Sequence, residues 1–183
     1  MSNYLRPHIP GATVFFTVAL AARGSTSLTR EIETLRDVVK TTRTERPFHI
    51  DAWVVLPDHM HCIWTLPEGD SDFSTRMGAI KARFSITLRR SGFTPTLLPN
   101  PHNAQAGRER APSEKRVGVN PDPHKNEAPI WQKRFWEHHI RDADDCAAHI
   151  QYCWHNPVKH GFVTHPRDWQ HSSYHRDNLM PVT

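Results

Sequence analysis

Apolar residues recur along the chain with two different periods, and these periods predict where strands and helices lie. Continuous β-rich runs predict three strands, at residues 12–20, 48–56 and 59–66. Spacings of three and four predict two amphipathic helices. Their apolar faces comprise Leu28, Ile32, Leu35 and Val39 in the first helix, and Phe73, Met77, Ile80, Phe84 and Leu88 in the second. Pro57 and Asp58 separate the second strand from the third, so we expect these two strands to pair antiparallel across a tight turn.

The periodic pattern is lost between Ser91 and Pro129. Seven of the fifteen prolines lie in this segment, so we expect a flexible insertion at about residues 92–129. Regular structure is predicted to resume with a fourth strand at 130–140 and a helix that starts near Asp142. Pro157 is expected to kink or stop that helix next to Asn156.

The predicted order of elements is β-α-β-β-α-β followed by a C-terminal helix. This order is that of an α+β, ferredoxin-like sandwich, in which both helices cover one face of an antiparallel sheet. We therefore expect a single domain over residues 1–183, in which one face of the sheet is left open for the C-terminal helix.

Composition narrows the classes of function. No apolar stretch is long enough to span a bilayer and the N-terminus has no signal-peptide pattern, so we expect a cytoplasmic protein without a membrane partner. The three cysteines form no CxxC pair, which argues against disulfides and against a cysteine-based zinc site. A net charge of +4 favours a polyanionic partner, and fourteen histidines offer groups that bind metal or phosphate.

The candidate chemistry begins with His59 and His61, which flank Met60 in the third predicted strand. Alternate strand residues share a face, so both imidazoles are expected to project together while Met60 enters the core. Tyr152 and Asn156, one helical turn apart, are expected to meet the two imidazoles if the last helix crosses the open face.

Such a site has a clear chemical use. His59, His61 and the amide oxygen of Asn156 would hold a divalent cation with open positions for phosphate oxygens. Tyr152 would attack the phosphate, form a covalent phosphotyrosine and expel a 3′-hydroxyl. The phenol needs assistance, and the sequence alone does not choose among the nearby groups, which are His149, His155 and Lys159.

Other interpretations of the same residues stay open. An HxH pair in a strand is often structural, and a tyrosine near an asparagine in a helix is often packing. Two histidines with one amide also favour transition metals over magnesium on ligand chemistry alone. The chain could accordingly be a nucleic-acid binder without catalysis, or a small metal-storage or structural zinc protein.

Three strings, in this order, distinguish these alternatives: VLPDHMHCIW at 55–64, IWQKRFWEHHIRD at 130–142 and YCWHNPVKHGFV at 152–163. Together they resemble the REP-associated tyrosine transposases, which belong to the HUH (His-hydrophobe-His) endonucleases. The resemblance covers nearly the whole chain except about 92–129, where the insertion is longer and richer in proline than the family pattern.

The resemblance implies a metal-dependent, site-specific single-stranded DNA endonuclease and strand transferase with a 5′-phosphotyrosine intermediate. Tyr152 takes the place of the nucleophile, and His59, His61 and Asn156 take the places of the ligands of Mg²⁺ or Mn²⁺. The implied partner is single-stranded or hairpin DNA from palindromic repeats, bound by a monomer or a homodimer. Phosphate contacts are expected from Lys81, Arg83, Lys133, Arg134 and Lys159, and base stacking from Trp131, Trp136 or Trp154.

Overall fold

The computed structural model describes residues 7–92 and 129–178. Its strands are β1 (Thr13–Ala19), β2 (His49–Val55), β3 (His59–Thr65) and β4 (Trp136–His139). Its helices are α1 (Ser27–Arg30), α2 (Ile32–Glu45), α3 (Phe73–Arg90), α4 (Ala143–Lys159) and α5 (Tyr174–Asp177), with a 3₁₀ turn at Pro166–Asp168. Among these residues every helix is too short or too polar to cross a bilayer.

The four strands form one antiparallel sheet in the order β2–β3–β1–β4. With β1 and β3 in the centre, this is the strand order of a ferredoxin-like sandwich, and the predicted α+β fold is confirmed. The tight turn between β2 and β3 is also confirmed, since the Leu56 N–H donates to the His59 carbonyl at 2.8 Å. The register places Thr17 of β1 opposite His61 on one side and opposite Trp136 on the other.

Each face of the sheet has its own apolar cluster. Met60, Cys62 and Trp64 of β3 point into the larger cluster, which α2 and α3 cover. The opposite face carries a smaller cluster made of Phe15, Ala52, Val54, Leu56, Ile63 and Cys153. Because α4 supplies Cys153 and packs on β2 and β3, the C-terminal helix crosses the face that the βαββαβ unit leaves open.

Two element boundaries differ from the sequence prediction. Only Trp136–His139 of the predicted strand 130–140 forms a ladder, because Trp131 makes a single bridge to Leu20 and buries its ring against Phe84. Helix α4 does not stop at Asn156 but continues to Lys159 with Pro157 inside it. Its last turn closes through the His160 N–H, which donates to the Asn156 carbonyl at 3.0 Å. The predicted insertion, apart from its end residues, lies outside the described residues.

Candidate active site

The β3 half of the site consists of two imidazoles held by their Nδ1 atoms. The rings of His59 and His61 lie 5.1 Å apart at 82°. His59 Nδ1 is 2.7 Å from Oδ1 of Asp58, and His61 Nδ1 is 2.9 Å from Oγ1 of Thr17. With Nδ1 of each ring engaged, the Nε2 atoms are the ones left for a ligand.

The protonation states of His61 and Asp58 favour metal binding by the two imidazoles. Burial lowers the pKa of His61 to about 3, and the neighbouring His59, His160 and Lys159 act in the same direction. The hydrogen bond from His59 lowers the pKa of Asp58, so that carboxylate is ionised at neutral pH. An ionised Asp58 accepts the Nδ1–H of His59, so Nε2 is the ring nitrogen of His59 that faces a ligand. His61 is neutral and needs no proton loss before it binds a metal.

The α4 half begins with a capped helix. The Asp142 carboxylate accepts the N–H of Asp145 at 2.8 Å, which satisfies a first-turn donor. Cys153, fully buried, seats the middle of the helix in the smaller cluster. The stripe at 152, 156 and 160 then faces β3, as positions four residues apart lie on one side of a helix.

Tyr152, Asn156 and His160 therefore meet the two histidines of β3. The Tyr152 ring lies 5.1 Å from that of His61, and the His160 ring lies 5.2 Å from that of His59. Asn156 is one turn from each of its neighbours on the stripe, so the helical period puts it on the same side of α4 as both contacts.

The amide of Asn156 has an unusual environment. The residue is 1% exposed, and neither Oδ1 nor Nδ2 has a hydrogen-bond partner among the described residues. Nε2 of His61 is buried and unpartnered in the same way. Buried polar atoms are costly when unpaired, so such a concentration indicates a ligand site. An amide oxygen beside imidazole nitrogens fits a divalent cation.

Of the three groups left open as assistants of the phenol, one lies against it. The Lys159 ammonium is 5.3 Å from the centroid of the Tyr152 ring. His149 instead has its Nδ1 2.8 Å from the Asp145 carbonyl, and the His155 ring is held by the backbone of its own helix. Tyr152 itself is 41% exposed, so a phosphodiester has access to its side chain.

A second polar group near the site was not predicted. His138, Asp145 and His149 bring one possible ligand atom each within 4.8 Å of one another. The buried Asp145 carboxylate is 2.9 Å from His138 Nε2, and this hydrogen bond is the largest of the effects that lower the pKa of Asp145. The helix pattern alone gives no signal that Asp145 pairs with two histidines, and His160 was missed because Pro157 was expected to kink or stop the helix before it.

Comparison with known proteins identifies the family. No protein-family model matches the sequence. Over 185 aligned positions the chain is 43% identical to the REP-associated tyrosine transposase of Escherichia coli K12, with all of this chain and 90% of that protein covered. The chain belongs to the REP-associated tyrosine transposases.

Other members of the family support the assignment of this transposase. It is 37% identical over 177 positions to a putative REP-associated tyrosine transposase of Haemophilus influenzae, covering 97% of this chain and 88% of that one. A solved structure of a REP-associated tyrosine transposase bound to a REP hairpin matches with a TM-score of 0.75 and 40% identity, covering this chain fully and 88% of the other. The predicted family, and with it an enzyme, is confirmed.

The basic residues predicted to contact DNA do not form one surface on the transposase. Lys81 and Arg83 lie on α3, across the sheet from Tyr152. The Lys81 ammonium donates to the Gln132 carbonyl at 2.8 Å, while Arg83 pairs with Glu45. The other three predicted contacts, Lys133, Arg134 and Lys159, are exposed.

The tryptophans predicted to stack on bases also differ from one another. Trp131 is 6% exposed, and its Nε1–H donates to the carbonyl of Lys81. Trp154 donates its Nε1–H to Oγ of Ser173 and packs against the tail. Trp136 is 56% exposed. Trp136 is therefore the most accessible of the three to a stacking base, and Trp131 the least.

Proposed function

We propose that this transposase is a metal-dependent, site-specific endonuclease and strand transferase for single-stranded DNA, acting on hairpin-forming repeats. Tyr152 is the nucleophile, and His59, His61 and Asn156 hold Mg²⁺ or Mn²⁺. The observation that carries the proposal is the convergence, within one chain, of a phenol with two imidazoles and a buried amide that lacks partners. The relative solved with a REP hairpin supports hairpin DNA as the substrate.

The step proposed for Tyr152 is an in-line displacement at a phosphodiester. The phenol oxygen forms a bond to phosphorus, and the bond from phosphorus to the 3′-oxygen breaks. The phenol proton leaves to solvent, and the departing 3′-oxygen gains one to become a hydroxyl. The downstream fragment stays attached to the enzyme as a 5′-phosphotyrosine, and attack by a 3′-hydroxyl on this ester rejoins the strands.

The protein's own groups support this step in distinct ways. The charge of Lys159, 5.3 Å from the ring centroid, stabilises the negative charge that develops on the phenol oxygen. Asp58 and Thr17 hold the imidazoles through their Nδ1 atoms, which keeps both Nε2 atoms directed at one ligand. A divalent ion bound there supplies Lewis-acid polarisation of a phosphate oxygen.

Covalent capture of DNA tests the role of the tyrosine. Labelled single-stranded REP hairpin with unpaired flanks is incubated with protein and Mn²⁺, and a denaturation-resistant protein–DNA band is measured. We expect Tyr152→Phe to abolish the band while hairpin binding is kept. Tyr174→Phe is the matched control, because Tyr174 packs against Trp154 in the tail and should leave the band unchanged.

The metal is tested in the same assay. His59→Ala combined with His61→Ala, or excess chelator with wild type, should each remove the band. Cleavage at full rate in chelator would refute metal dependence, and an adduct in Tyr152→Phe would refute the nucleophile. Hairpin binding without any adduct in wild type, under all metals tried, would instead favour a binding protein without catalysis.

A further inference from the structure

Two exposed aromatic rings border the candidate site, one on β4 and one just after the end of α4. Trp136 is 56% exposed and Phe162 is 44% exposed. Among the described residues the exposed large apolar side chains are Ile9, Ile86, Trp136, Tyr152 and Phe162, so three of the five are at or beside the site. Exposed rings concentrated around one pocket indicate a binding surface rather than scattered surface positions.

Trp136 flanks the site from the edge strand β4. It pairs with Thr17, which on its other side pairs with His61, so the three residues form one row across the sheet. At the usual spacing of neighbouring strands, the Cα atoms of Trp136 and His61 are about 10 Å apart. The Trp136 ring stacks on that of His138 with an interplanar angle of 5° and meets the edge of Phe15 at 5.8 Å.

Phe162 flanks the site from the end of α4. Gly161, at φ +72°, takes the left-handed conformation that reverses the chain after the helix and presents the next residue. The Phe162 ring lies 6.1 Å from that of His160 at 27°, and His160 in turn contacts His59. Phe162 also forms one wall of a cavity of about 360 Å³, whose lining includes His59, Arg23 and Gln132.

The two rings share a feature that selects their ligand. Trp136 is the outer member of a nearly parallel pair with His138, so a third flat ring would extend that stack. Phe162 packs between the rings of His160 and Trp169, the latter at 5.4 Å and 31°, and its exposed side offers a second flat surface. Exposed Lys133 and Arg134 precede Trp136 by three and two residues in the chain, and Arg23 lines the cavity at Phe162. Flat rings flanked by cations are the chemistry that binds unpaired bases on a phosphate backbone.

We propose that Trp136 and Phe162 are stacking platforms for unpaired bases on the two sides of the bond that Tyr152 attacks. The inference rests on the proposed DNA substrate and deepens it, since it assigns the path of the single strand across the site. That path runs from β4, past the phenol, to the cavity at the end of α4.

The test compares single-stranded and paired probes. Fluorescence anisotropy measures the Kd for two labelled probes, a 15-nucleotide oligodeoxyadenylate (the 15-mer) and a blunt-ended DNA hairpin. The proteins compared are wild type, Trp136→Leu, Phe162→Leu and the double variant. Loss of one stacked base should raise the Kd for the 15-mer about five-fold or more in each single variant. The double variant should lose about 25-fold or more, and the blunt hairpin should bind within about two-fold of wild type.

Controls separate stacking from general damage. Ile86→Ala removes an equally exposed apolar side chain on α3, across the sheet, and should leave both Kd values unchanged. Phe162→Tyr keeps a flat ring and should bind the 15-mer like wild type. Unchanged 15-mer affinity in the two leucine variants would overturn the proposal, as would equal losses for the 15-mer and the blunt hairpin, which would fit a protein-docking or structural role.

The failure of this inference and that of the proposed function are distinguishable. The Tyr152 adduct is measured separately, in the gel assay, and depends on covalent chemistry. Leucine variants that bind the 15-mer normally while wild type still forms the adduct would remove the platforms and leave the nuclease. If the leucine variants lose 15-mer binding selectively while wild type forms no adduct, the platforms are supported and the nuclease is refuted.

Discussion

The contact between Asp58 and His59 gives the sharpest test of how the proposed metal site is built. Oδ1 of Asp58 accepts the Nδ1–H of His59 at 2.7 Å, and Oδ2 accepts the backbone N–H of Gly24 at 2.9 Å. In Asp58→Asn the side chain keeps its shape but has one acceptor for two donors. If the amide oxygen turns to Gly24, its NH₂ faces Nδ1 of His59, and the ring must then carry its proton on Nε2.

The expected size of the effect follows from that tautomer change. A proton on Nε2 removes the lone pair that would bind the metal, and replacement of such supporting partners costs about 10- to 100-fold in metal affinity. That range corresponds to about 1.4 to 2.7 kcal/mol. We expect the fold to be kept, because Asp58 lies in the turn between β2 and β3 and belongs to neither apolar cluster.

Titration calorimetry of Mn²⁺ into metal-free protein, without DNA, measures this affinity directly. Asp51→Asn is the matched control: its carboxylate also pairs with an imidazole, His49 Nδ1 at 3.0 Å, and with a second donor, Thr65 Oγ1 at 2.8 Å, but at the far end of the same hairpin. Wild-type affinity in Asp58→Asn, together with lost binding in His59→Ala, would refute the orienting role. Equal weakening in Asp51→Asn would show a general effect on the hairpin.

Two further predictions concern stability. Asp70→Asn should lower the free energy of unfolding at pH 7 by about 2 to 3 kcal/mol, because it leaves the buried Arg76 guanidinium without its carboxylate. That guanidinium lowers the pKa of Asp70 in the folded state, so the stabilisation is present above about pH 5 and shrinks as the pH falls below about 4. Urea unfolding at pH 3.5 should therefore show a smaller difference between Asp70→Asn and wild type than at pH 7. Ile63→Ala, under α4, should cost about 2 to 4 kcal/mol, while exposed Ile86→Ala should change stability by less than about 0.5 kcal/mol in the same measurement.

The periodicity of single elements was enough to predict each half of the candidate site. The period of two along β3 predicted that His59 and His61 share a face, and the helical period predicted that Tyr152 and Asn156 do. Both hold in the structure, because each depends only on the geometry of one element. That the two halves meet depended on the ferredoxin-like topology, since periodicity within an element says nothing about what lies across from it.

Features that depend on neighbouring elements were not predictable from these patterns. His160 reaches His59 only because α4 continues through Pro157, where burial of the proline and contacts in the last turn outweigh the lost hydrogen bond. Trp131, Trp136 and Trp154 looked equivalent as stacking residues. Their burial differs because Trp131 faces α3, Trp154 faces the tail and Trp136 lies on an edge strand.

The division of the site between a sheet and a helix makes its geometry depend on the smaller cluster. Two imidazoles belong to β3, whereas the phenol and the amide belong to α4, and no strand pairing joins the two elements. Phe15, Ile63 and Cys153 lie between them, fully or almost fully buried. Packing against these side chains therefore sets the separation between Tyr152 and His61, because a shift of α4 on the sheet moves one half of the site relative to the other. If Tyr152 is the nucleophile, as proposed, its displacement by about 1 Å would cost about 100-fold in rate. The proposed function therefore makes activity depend on the apolar cluster beneath α4, which itself need not touch DNA.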